Sequence, residues 1–219
     1  MKKAFFLGMA LVATLTAGAQ QADYKPVLTT TFTAFDTSWS NPQAKQELSN
    51  KLALIAKKYP DAWVTQYYAA YSKVQLSYND KLEAAKRDAY LDEAEIFRDE
   101  AVRLLGKNND ETYVLSAMIA NARLGVDGRA RWQKYGKIFE ENLDNAKSIN
   151  PDNPRIYILK GIGKYYMPKM FGGGAKAATP YFEKAEGLLA KESKEDINKP
   201  YWGTQTNQYF LKLVKGDKE

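Results

Sequence analysis

Apolar residues recur at steps of three and four along most of the chain. Leu48, Leu52, Ile55 and Tyr59 form one such set, and Trp63, Tyr67, Ala70, Tyr71 and Val74 a second. Leu91, Ala94, Phe97, Ala101 and Leu104 form a third, and Tyr113, Ala117, Ala120 and Leu124 a fourth. That period puts each set on one stripe of an α-helix. No apolar–polar alternation runs long enough to predict a strand. Val27 to Phe35 is the ambiguous segment. Its Thr29-Thr30-Thr31 run favours β structure, but Leu28, Phe32 and Phe35 share one helical face behind Pro26, which predicts a helix. Helix starts are marked at Asn41-Pro42, Asp61, Asp110, Asn153-Pro154 and Lys199-Pro200, where an Asx cap or a proline suits a first turn.

The predicted helices pair. An aromatic residue opens one helix of each pair at Trp63, Tyr113, Tyr157 and Trp202, an internal repeat of about 45 residues. The second helix of a pair carries small and large apolar residues in alternation, as in Ala94/Phe97/Ala101 and Ala178/Phe182/Ala185. One such pair cannot bury its apolar face alone, so neighbours stack into a superhelix with a continuous core and a concave surface. The expected fold is all-α, an α-α superhelix of about eight or nine antiparallel helices.

The stretch AKSINPDNPRIYILKG, Ala146 to Gly161, resembles the junction between tetratricopeptide repeats. Ala146 stands at the late small position, Pro151 ends a helix, Tyr157 takes the aromatic position and Gly161 the close-packing position of the next repeat. Ala178, Phe182 and Ala185 match the packing positions of its second helix. Arg131 to Gly203 is similar to a group of exported tetratricopeptide-like proteins of Gram-negative bacteria. The resemblance implies a helical superhelix that binds a protein or a ligand, and it supplies no catalytic residue.

Lys2 and Lys3, the apolar run Ala4 to Leu15 and the small-x-small pattern Ala17-Gly18-Ala19 read as a secretory signal over residues 1–19. The apolar run is shorter than the ~20 residues that a membrane span requires. The chain has no cysteine, which excludes a lipoprotein signal and disulfides. The expected organisation is a cleaved leader, an N-terminal segment over 20–40 with one short helix, and a repeat domain over 41–216. Its expected place is the periplasm or the exterior. Removing the two leader lysines lowers the formal charge from +6 to +4, without the clustered basic face that nucleic acid requires.

Histidine is absent as well. Ser/His/Asp and Cys/His catalysis, His/Cys zinc sites and haem ligation by histidine are thereby excluded. No metal ligand set, cofactor motif or catalytic constellation stands out. Gly172-Gly173-Gly174 lacks the spacing, the adjacent Ser/Thr and the preceding strand of a phosphate loop. It reads as a bend after Pro168, with Phe171 placed to plug the gap between helices.

The chain is rich in aromatics, with 15 Tyr and 4 Trp. A concave surface of rings and cations is the expected site, because rigid amphipathic rings and arginine suit interfaces. The candidate contacts are Arg129, Arg131, Tyr135, Arg155, Tyr157, Lys160, Tyr165, Lys176 and Trp202. The leading expectation is a non-catalytic adaptor that binds a peptide or partner protein there. The alternative is a small-molecule binding protein, for a glycan or an organic acid, that serves an uptake system.

Overall fold

The computed structural model describes residues 23–216, so the expected leader lies outside the described residues. Among them are nine α-helices and no strand. In chain order these are α1 (Lys25–Thr37), α2 (Pro42–Lys58), α3 (Trp63–Ser77), α4 (Ala84–Leu105) and α5 (Asp110–Val126). They continue with α6 (Gly128–Ile149), α7 (Pro154–Tyr166), α8 (Ala175–Leu189) and α9 (Thr204–Gly216).

The ambiguous threonine run is helical. Leu28, Phe32 and Phe35 bury one face of α1, and that burial outweighs the β preference of the threonines. Asn41 caps α2 by accepting from the Ala44 amide, and Asn153 caps α7 in the same way from Arg155, each ahead of a proline in the first turn. Asn109 and Thr112 form a reciprocal capping box at α5. Gly106 ends α4 in the left-handed region, at φ 73°.

The helices pack in two layers. Each helix touches the next, and the odd-numbered helices also touch one another in the series α1, α3, α5, α7 and α9. No two even-numbered helices touch among the described residues. The odd layer is therefore the inner one, as in an α-α superhelix, and α3 and α5 within it are buried on nearly every face.

One predicted helix start is absent. Lys199-Pro200 begins no helix; the chain from 193 to 203 instead crosses back over the odd layer before α9 begins at Thr204. Trp202 packs on Tyr71 with ring centroids 4.8 Å apart, and Tyr201 meets Phe32 edge-on at 5.4 Å. The Tyr24 hydroxyl donates to Asn198 Oδ1. This crossing segment covers the face of the odd layer turned away from the even helices, which is the surface where a peptide groove was expected.

Candidate functional site

Arg155 lies at the centre of that covered face and is 1% exposed. Its guanidinium pairs with Glu111 at 3.2 Å and with Glu192 at 2.8 Å, donates to the Pro200 carbonyl, and stacks on the Trp202 ring. Burial weighs against its charge, but Glu111 and Glu192 more than offset this and hold its pKa up. Glu111 also accepts from Tyr67 Oη at 2.6 Å and from Asn153 at 2.7 Å, and Trp202 Nε1 donates to Tyr67 Oη. Burial pushes the Glu111 carboxyl up, with Arg155, Tyr67 and Asn153 opposing. The cluster ties α3, α5 and α7 to the crossing segment. Apart from Glu192, its side chains are buried, so the place where an open groove was expected is filled by the chain itself.

The other expected contacts are dispersed. Tyr157 is buried and donates to the Pro151 carbonyl, and Trp202 is core. Arg131 forks onto both oxygens of Asp88 at 2.7 Å, and Lys160 pairs with Asp144 at 2.8 Å. Tyr135 packs against the main core, while Arg129 and Lys176 are exposed. Tyr165 stands at the end of α7 against Phe210 of α9, at 5.6 Å between ring centres. The expected set thus divides between core, surface ion pairs and the α7–α9 end of the molecule.

That end carries the largest exposed aromatic group. After α7 the chain makes a 3-10 turn, Lys169–Phe171, and enters α8 through the triple glycine. Gly172 and Gly174 take φ of 80° and 99°, and a Cβ at Gly173 would lie 2.0 Å from the Met167 carbonyl oxygen. Gly173 leaves no room for a side chain, and the positive φ at Gly172 and Gly174 favours glycine there. Their amides donate to the carbonyls of Lys169, Pro168 and Lys164, so they do not converge on an anion. The bend lifts Met170 (83% exposed) and Phe171 (68%) into solvent instead of plugging a gap between helices. Tyr166 (70%) and Tyr209 (56%) flank Phe210, which stacks on Phe182 beneath.

Lys164, Lys169, Lys176 and Lys212 lie on the same helices and bend as these rings. None of the four lies within ion-pair distance of a carboxylate among the described residues. Burial, followed by Tyr209 and Tyr165, raises the Tyr166 pKa, which keeps its phenol neutral. These elements therefore bring exposed apolar area together with lysines that pair with no carboxylate among the described residues. Of this group, Tyr166, Met170, Phe171 and Tyr209 were not among the expected site residues. The available signal was YYMPKMFGGG itself. A proline and three glycines break the helix, so its apolar side chains cannot all share one buried stripe.

A search of solved structures finds HusA, a haemophore from Porphyromonas gingivalis, 32% identical over 91% of this chain and 96% of that chain, with a TM-score of 0.76. The chain belongs to the HusA family. No family model matches the sequence, so tetratricopeptide membership rests on the resemblance alone. No curated protein matches it either. The HusA-like chain shares an all-helical fold with a binding protein, not an enzyme. Among the described residues no helix is long and apolar enough to cross a membrane.

Proposed function

We propose that this chain is a carrier for haem or a related porphyrin, held on the aromatic surface at the α7–α9 end. The observation that carries the reading is the exposed group of Tyr166, Met170, Phe171 and Tyr209, with four lysines on the same elements that pair with no carboxylate among the described residues, in a chain 32% identical to a haemophore. A porphyrin is a flat apolar disc with acidic substituents on its edge. Rings stack on its face, and ammonium groups meet its propionates. The small-ligand alternative thereby replaces the peptide adaptor, whose expected groove is filled by residues 197–203 of the same chain.

The chain itself limits how iron is treated. It has no histidine and no cysteine, so imidazole and thiolate ligation are unavailable. Tyrosine and methionine remain, but the raised pKa of Tyr166 disfavours the phenolate that would bind ferric iron. Affinity then comes from the macrocycle and its carboxylates, and the metal is secondary. Absorbance titration with haemin and with iron-free protoporphyrin tests this. Both should saturate at one equivalent with affinities within about tenfold of each other, a difference of about 1.4 kcal/mol or less. Failure of both to bind would contradict the carrier reading, and binding of haemin alone would contradict recognition through the macrocycle.

A further inference from the structure

The opposite end of the molecule carries a feature unrelated to the porphyrin surface. In a stack of helix pairs each pair buries its apolar stripe against the next, and an end pair stays soluble by turning a polar face outward. α1 and α2 form the N-terminal end of the described stack, and Val27 and Leu54 interrupt their otherwise mostly polar outer face. Between them opens a groove of about 590 Å³ whose apolar lining includes Pro26, Val27, Leu54 and Ile55. Val27 is 42% exposed and Leu54 is 62% exposed. Lys51 and Lys58, also in the lining, stand two turns apart on the same side of α2, with Leu54 between them. Neither lysine pairs with a carboxylate among the described residues, and Asp23 is the sole acidic residue of the lining.

We propose that this groove docks an amphipathic helix of a partner protein, apolar along one face and acidic along its edge. A groove between two antiparallel helices at the end of a stack is the place the next helix of the stack would occupy. A docked helix would present apolar anchors at i, i+3 or i+4, and i+7 to Val27, Leu54 and Ile55. Lys51 and Lys58 are spaced to meet its carboxylates, and their like charge repels a basic helix. Head-to-tail docking of a second copy is disfavoured on the same ground. The last described helix, α9, carries Lys212 and Lys215 and no acidic residue, so cation would face cation there.

The test is a display selection against the purified chain as the cell produces it. The library consists of 15-residue helical peptides with fixed apolar anchors and all other positions drawn from Glu, Lys and Ser. Enriched peptides should be rich in Glu. Their affinity should fall at least tenfold in Leu54→Asp and in the double variant Lys51→Glu/Lys58→Glu. Both variants alter exposed positions and should keep the thermal midpoint and porphyrin titration of the parent, which separates this site from the carrier reading. Enrichment of Lys, no enrichment over the starting library, or affinities untouched by both variants would overturn the proposal.

Discussion

Arg155 shows how one side chain can tie distant segments of the chain together. It brings Glu111 of α5, Glu192 after α8 and the Pro200 carbonyl onto one guanidinium, out of water. Removing one partner of such a network leaves a buried charge uncompensated, which typically costs 3–5 kcal/mol. Arg155→Met should therefore lower the thermal midpoint sharply while leaving the α7–α9 surface chemically intact. The loss should also depend on pH. Burial raises the Glu111 pKa, and without Arg155 the opposing attraction is gone. A group whose folded pKa is raised stabilises the fold below its unfolded pKa, and that contribution is lost as pH rises through the folded value. The variant should thus be less destabilised near pH 4.5 than at pH 8 in urea melts. An equal loss at both would show that Glu111 does not carry the unpaired charge. Arg155 was expected on an open surface because sequence cannot distinguish an exposed cation at a helix N-terminus from one enclosed by a segment some 45 residues later.

At the scale of elements, the triple-glycine bend and the crossing segment have different tasks. The bend has its outer positions in the left-handed region and Gly173 against the Met167 carbonyl. Gly173→Ala must displace backbone, and this should shift Met170 and Phe171. Porphyrin affinity should drop at least tenfold, while the thermal midpoint changes little because the bend buries few side chains. An unchanged affinity would detach the bend from the site. The crossing segment is a packing element. Trp202→Ala would remove a ring that is 2% exposed and stacked on Tyr71, and should cost about 3–5 kcal/mol in denaturant melts. A loss below about 1 kcal/mol would mean that the covered face tolerates an opening.

The helices themselves were largely legible. Their stripes, the Asn41 and Asn153 caps and the small positions follow from local periodicity, and Gly161 is small because a Cβ there would lie 2.6 Å from the Phe182 ring. The crossing segment was not legible, because Pro200 carries the same signal whether it opens a helix or runs extended across a core.

Across the whole molecule, charge joins the layers while aromatic packing fills them. Asp88 of α4 accepts from Arg123 of α5 and Arg131 of α6, and hydrogen bonds from these arginines, Arg131 foremost, bring its pKa down to about 2. A depressed carboxyl stabilises the fold above its unfolded pKa, and that contribution is lost as pH falls through the folded value. Stability should therefore decline between about pH 4 and pH 2, and Asp88→Asn should flatten that decline in thermal melts while lowering stability at neutral pH. An acid limb identical to that of the parent would remove Asp88 from the explanation.

The proposed ligand surface includes Tyr165 and Lys176 of the contacts expected from sequence, whereas Tyr166, Met170, Phe171 and Tyr209 were not among them. Exposure of a ring depends on where α9 packs against α7 and α8, and no local pattern states that. The most direct test is the haemin affinity of the double variant Tyr166→Ser/Phe171→Ser beside the parent, followed in the Soret band with thermal midpoints measured in parallel. Both positions are exposed, so the midpoint should hold while affinity falls by at least a hundredfold, about 2.7 kcal/mol. An affinity unchanged in a fully folded variant would place the porphyrin elsewhere and contradict the site.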